Sequence, residues 1–120
     1  MFRQFRTDPL CRAVRSATAA GLAVVVAAGN YGKSTDGAEV YGSVTAPGND
    51  PSVITVGSGN SRNTALRSDD AVNNFSSRGP TRSVWFDAAG QPHPDNLLKP
   101  DLVDRQPRRR RDGRQCGWRL

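Results

Sequence analysis

AVVVAAGN, residues 23–30, is an unbroken apolar run that stops on a glycine and an amide. A strand with one wet face alternates apolar and polar residues. A continuous run fits a strand covered on both faces, as in a parallel sheet. In open parallel sheets ligands bind beyond the carboxyl ends of the strands, which is where this run places Gly29 and Asn30. Gly29 lets the backbone turn sharply and leaves room for a ligand. Asn30 offers an uncharged NH2 donor suited to a developing oxyanion. The same amide could instead cap a tight turn, as Asn commonly does.

Working outward, TDPLCRAVRSATAAG (residues 7–21) reads as a helix from about Asp8 to Ala20. Asp8 can cap its first amides, Pro9 suits the first helical position, and Gly21 can take the left-handed conformation that ends it. Leu10, Ala13, Val14, Ala17 and Ala20 share a small apolar face suited to packing on a sheet, with Arg12, Arg15 and Ser16 off it. The first strand is expected over Ala23–Ala28 and a second, parallel to it, over Val53–Val56 within SVITVG. The connection between them, residues 31–51, is rich in Gly, Ser, Thr, Asn, Asp and Pro. It is longer than linking requires, which favours a functional loop. Beyond lie a polar segment, then FSSRGP (75–80), an insertion-like loop TRSVWFDAAGQPHPDN (81–96), and LLKPDLV (97–103), whose last residues could begin a third strand. The expected architecture is α/β with a partial parallel sheet.

Charge sets further bounds. The net charge of +6 belongs to the two ends of the chain. Residues 1–7 carry two Arg and no acid, residues 104–120 carry seven Arg against Asp104 and Asp112, and residues 8–103 hold eight Lys/Arg against nine Asp/Glu. A nucleic-acid surface spread over the domain is therefore disfavoured. No stretch is long enough to span a membrane, and MFRQFR is followed by TDPLCR rather than by the apolar core of a secretory signal. Two cysteines, Cys11 and Cys116, form neither a disulfide framework nor a zinc spacing.

Four segments in order, DPLCRAVRSATAAGLAVVVAAGN, TAPGNDPSVITVG, FSSRGPT and LLKPDLV, together resemble the subtilases, the subtilisin-like serine peptidases, over most of residues 8–103. The resemblance implies a subtilisin-like domain that hydrolyses peptide or protein substrates by acyl transfer through a Ser-His-Asp triad. It assigns Asn30 the side-chain donor of the oxyanion hole. It places Ala27, Ala28 and Gly29 along one wall of the primary specificity pocket, with Thr45 and Ala46 near its far end. Full-length members are often secreted and some bind calcium.

The chain departs from the family pattern in two ways. It has no Asp-Thr-Gly or Asp-Ser-Gly segment, no His-Gly-Thr-His and no Gly-Thr-Ser. The expectation is thus a central piece of a catalytic domain, inactive alone. Local stand-ins are poor: His93 sits between two prolines in a loop, and Ser76 and Ser77 have no identifiable base. Asp69 and Asp70 lack the further spaced oxygens that calcium needs, so no metal or other cofactor is assigned. The second departure is DRQPRRRRDGRQCGWRL, residues 104–120, which replaces the expected continuation with arginine. Read one base later, suitable codons for Asp104–Arg111 spell TGNRVVAA, close to a subtilase continuation. We read this tail as out of frame and disordered. The alternative is a small basic binding protein using a polybasic tail for nucleic acid or an anionic surface. The domain reading is a basic extension over 1–7, a partial peptidase domain over 8–103 and the tail. Uncovered sheet edges should favour self-association.

Overall fold

The computed structural model describes residues 4–105. In chain order it contains α1 (Pro9–Ala19), β1 (Val25–Ala27), β2 (Ile54–Asn60), β3 (Ala71–Val72), β4 (Val84–Phe86), β5 (Pro92–Pro94) and β6 (Leu102–Arg105).

The helix begins and ends as its punctuation dictates. The Asp8 side chain accepts from the amides of Leu10 at 2.9 Å and Cys11 at 3.3 Å, Pro9 opens the first turn, and Gly21 follows the end at φ +91°. The face it buries differs from the apolar stripe in the sequence. Cys11 is fully buried, whereas Leu10 is 58% exposed and Ala13 is exposed too. Arg15, expected to point away, turns inward and meets the fully buried Asp50 at 2.8 Å. A carboxylate with no access to water needs a cation, and that requirement outweighs the weak pull of a few alanines. The Cys11 thiol donates to Asn49 Oδ1 at 3.4 Å, and burial, reinforced by Asp8 and Asp50, pushes its pKa up to about 11.

β2 is the centre of the main sheet. It pairs in parallel with β1 on one side (Val25 with Ile54, Ala27 with Val56) and with β6 on the other (Val56 with Leu102, Gly59 with Arg105). β3 adds an antiparallel step at the far end of β2. The two expected strands are therefore parallel neighbours, and LLKPDLV does lead into a third. That third strand runs on through Asp104 and Arg105, which the sequence reading gave to the tail. Arg105 is held there by Asp70 at 2.8 Å and by the carbonyls of Thr64 and Leu66. The rest of the tail and Cys116 lie outside the described residues.

Two further expectations are corrected. Residues 81–96 form a hairpin, β4 against β5, with His93 in its second strand. And β1 is not covered on both faces. Strand alternation and the register put Val25, Ala27, Ile54, Val56 and Leu102 on one face of the sheet, yet Val25 is 61% and Leu102 48% exposed. Among the described residues nothing packs over this face. The buried apolar residues, Cys11, Ala28, Val44 and Val53, are all small or medium-sized.

Candidate functional site

The site grows from the carboxyl end of β1. The Ala28 amide donates to the Val56 carbonyl at 2.9 Å, so the chain is still tied to β2 one residue past the strand. It then turns at Gly29, φ +104°, a conformation that L side chains resist. Space demands glycine as well. A Cβ there would lie 3.0 Å from Ser77 Oγ and 3.1 Å from Thr45 Oγ1. The turn delivers Asn30 to an exposed position at one end of an open groove of about 700 Å³ over the bare sheet face. Among the described residues the Asn30 side chain makes no hydrogen bond, so it does not cap its own turn.

The long connection returns to the same place. Thr45 donates its amide to the Ala28 carbonyl, at a long 3.4 Å, and a cis peptide joins Ala46 to Pro47. Gly48 then lies against the Ala27 and Thr45 carbonyls, and its own carbonyl accepts from Thr55 Oγ1 at 2.7 Å. Residues 27–29 line the groove beside Asn30, and Thr45 and Gly48, from a segment further along the chain, lie against them; among the described residues Ala46 is placed there by no contact of its own. The connection is pinned elsewhere by Glu39 against Arg78 at 2.5 Å and by the Ser43 amide on the Arg78 carbonyl at 2.9 Å. The Arg78 guanidinium, followed by Tyr41, holds the Glu39 carboxyl below its usual range.

A third segment, FSSRGP, runs alongside the turn. The Ser77 amide donates to the Gly29 carbonyl at 2.9 Å, and the Gly32 amide donates to the Phe75 carbonyl at 2.9 Å. The Ser77 hydroxyl accepts from the Tyr31 amide at 3.0 Å, and the Ser76 hydroxyl accepts from the Ser58 amide of β2 at 2.9 Å. Both serines are about 1% exposed. The sequence offered no signal for these contacts beyond the FSSRGP segment itself, because they span 18 to 48 residues.

The other candidates are engaged in different work. His93 is stacked on Trp85 with ring centroids 4.5 Å apart, and its Nε2 lies 2.9 Å from Asp87 Oδ2. That contact, more than any other, holds the Asp87 carboxyl below its usual range. Asp69 accepts from the Thr64 hydroxyl at 2.8 Å, and Asp70 faces Arg105. Among the described residues no group of three or more His, Cys, Asp or Glu is placed to hold a metal ion. No helix among them is long and apolar enough to cross a membrane.

Comparison with known proteins gives the same family. The profile of the subtilase family matches residues 3–105. A serine protease, AprX of Bacillus subtilis (strain 168), is 49% identical over 74 residues, which cover 62% of this chain and 15% of that protein. No solved structure matches significantly.

Proposed function

The chain belongs to the subtilase family, and from that premise we propose that it supplies the oxyanion side of a subtilisin-like serine endopeptidase domain. The observation that carries this reading is the Asn30 amide, exposed and, among the described residues, without a hydrogen bond at the carboxyl end of a parallel strand. Beside it lie residues 27–29, with Thr45 against Ala28 and Gly29. In acyl transfer a serine hydroxyl adds to the scissile carbonyl carbon while a histidine takes its proton. The carbonyl oxygen becomes an oxyanion, the C–N bond breaks as the amine takes that proton, and water then repeats the sequence to release the acid. Asn30 Nδ2–H donates to the oxyanion. A donor without charge of its own, fixed before reaction, favours the transition state over the neutral ground state. Ala27, Ala28 and Gly29 form one wall for the side chain of the substrate residue whose carbonyl is attacked, with Thr45 and Ala46 at its far end. The reaction also needs the Asp, His and Ser of a triad, and these 120 residues contain no Asp-Thr-Gly, Asp-Ser-Gly, His-Gly-Thr-His or Gly-Thr-Ser segment to supply them.

The chain spans about 15% of the curated relative it matches, so activity is tested on a completed domain. Residues 8–103 are grafted in place of the matching segment of the AprX protease, and peptide hydrolysis is measured. Asn30→Ala should lower kcat by roughly 10²–10³-fold with little change in KM, the loss seen when such a donor is removed from a subtilisin. An unchanged kcat would overturn the assignment. The isolated chain should neither hydrolyse peptides nor react with a fluorophosphonate probe. Labelling at Ser76 or Ser77 that is lost on His93→Ala would show a catalytic pair where the reading has none.

A further inference from the structure

We propose that Ser77 is a positioning residue for Asn30, holding the peptide on each side of it. The inference rests on Asn30 as the oxyanion donor. The Ser77 amide donates to the Gly29 carbonyl at 2.9 Å, and the Ser77 hydroxyl accepts from the Tyr31 amide at 3.0 Å. One residue therefore fixes the peptide entering Asn30 and the peptide leaving it.

The need for such a bracket follows from the geometry of the turn. An oxyanion donor works only when its hydrogen points at a spot 2.7–3.1 Å away, and an error of about 1 Å can cost roughly 10²-fold in rate. Among the described residues the Asn30 side chain has no hydrogen bond to steady it, so its aim is inherited from the backbone of residues 29–31. That backbone does not steady itself. Gly29 at φ +104° is the most permissive residue in a region others avoid, and the bond from Thr45 to Ala28 is long at 3.4 Å. Ser77, by contrast, is about 1% exposed. Its Oγ lies 3.0 Å from the place a Gly29 Cβ would occupy, so it leaves no room for a side chain at the turn. Its neighbour Ser76 takes the Ser58 amide of β2 at 2.9 Å. The serine pair thereby ties the Asn30 turn to the central strand of the sheet. Alanine at position 77 keeps the bond to Gly29 and loses the one from Tyr31, freeing the peptide that follows Asn30.

A double-mutant cycle in the completed domain separates positioning from plain stability. Ser77→Ala should lower kcat about tenfold with KM within about twofold, and should lower it little further once Asn30 is already alanine. Ser76→Ala, which removes a comparable buried acceptor from β2, is the comparator: any loss it causes should be the same in both backgrounds. Equal losses for Ser77→Ala with and without Asn30, or no loss at a temperature where the variant is folded, overturn the proposal while leaving the oxyanion assignment standing. If Asn30→Ala alone leaves kcat unchanged, that assignment fails and the proposal falls with it. Amide exchange in the 120-residue chain gives a readout free of catalysis. Ser77→Ala should speed exchange at Tyr31 at least about tenfold more than at Gly32, whose amide is held by the Phe75 carbonyl. Equal changes at both amides count against it.

Discussion

Gly29 shows how a single residue can be fixed by two unrelated demands. Its φ of +104° excludes most side chains on backbone grounds, and Ser77 Oγ and Thr45 Oγ1 close the space a methyl group would fill, at 3.0 and 3.1 Å. Relieving the contact means pushing away the hydroxyl that brackets Asn30, so strain and packing cannot both be satisfied. Gly29→Ala is therefore expected to destabilise the chain by about 1–3 kcal/mol, read as a lower denaturation midpoint with an unchanged slope. The placement of Gly29 and Asn30 at the carboxyl end of β1 was legible in the sequence because it is local, an apolar run, a turn residue and a polar end, whereas a role for Asn30 came only from the resemblance of four segments in order. The contacts of Ser77 were not, because its partners stand 46 and 48 residues away and a serine in a turn-rich segment has many ordinary uses.

At the scale of elements, buried polar groups decided what hydrophobic pattern left open. The caps of α1 and the parallel pairing of β1 with β2 follow from Asp8, Pro9, Gly21 and two apolar runs. The helix face does not, because Asp50 accepts from both Ser52 N and Oγ and still draws Arg15 inward. The entry to β6 is set in the same way. Lys99, nearly buried, donates to the Val53 carbonyl at 2.7 Å and to Asp101 at 2.6 Å. Asp101 in turn accepts from the Thr55 amide at 2.7 Å and donates its own amide to the Thr55 carbonyl at 2.8 Å. These bonds fix the register of β6 on β2. Burial raises the Asp101 pKa, but the Lys99 ammonium and the Thr55 amide outweigh it, and the net shift is downward. A carboxyl whose folded pKa is depressed contributes stability that is present above its unfolded value, about 3.9, and lost as pH falls through the lower folded value. The unfolding free energy should therefore decline as the pH drops below about 5. Asp101→Asn should be less stable at neutral pH and show a shallower decline, measured as a difference curve because Asp36, Glu39 and Asp87 are shifted the same way. Parallel declines in the two proteins would mean that Asp101 titrates unperturbed.

For the whole molecule, the arrangement of apolar surface sets the behaviour. Among the described residues the buried apolar side chains are Cys11, Ala28, Val44 and Val53, while Val25, Ile54 and Leu102 stand 61%, 42% and 48% exposed on one sheet face. That face is continuous across three strands, and the outer edges of β1 and β6 have no strand partner among the described residues. Bare apolar faces and unpaired edges are the two features that natural sheets cover or charge to avoid association. Here the exposed residues are valine, isoleucine and leucine, with only Asp104 on the same face to oppose stacking. The chain on its own is expected to self-associate through this face, with a weight-average mass that rises above 12.9 kDa as concentration increases into the micromolar range. A lysine at Val25 or Ile54 adds charge at the centre of the contact and should return the mass toward that of a monomer in sedimentation equilibrium. Leu98→Lys serves as the comparison, since Leu98 is the more exposed at 86% but lies outside every strand of the sheet. If surface hydrophobicity in general drove association, Leu98→Lys would be at least as effective as Val25→Lys. Because a continuous face is what two copies can share, only the sheet substitutions should matter.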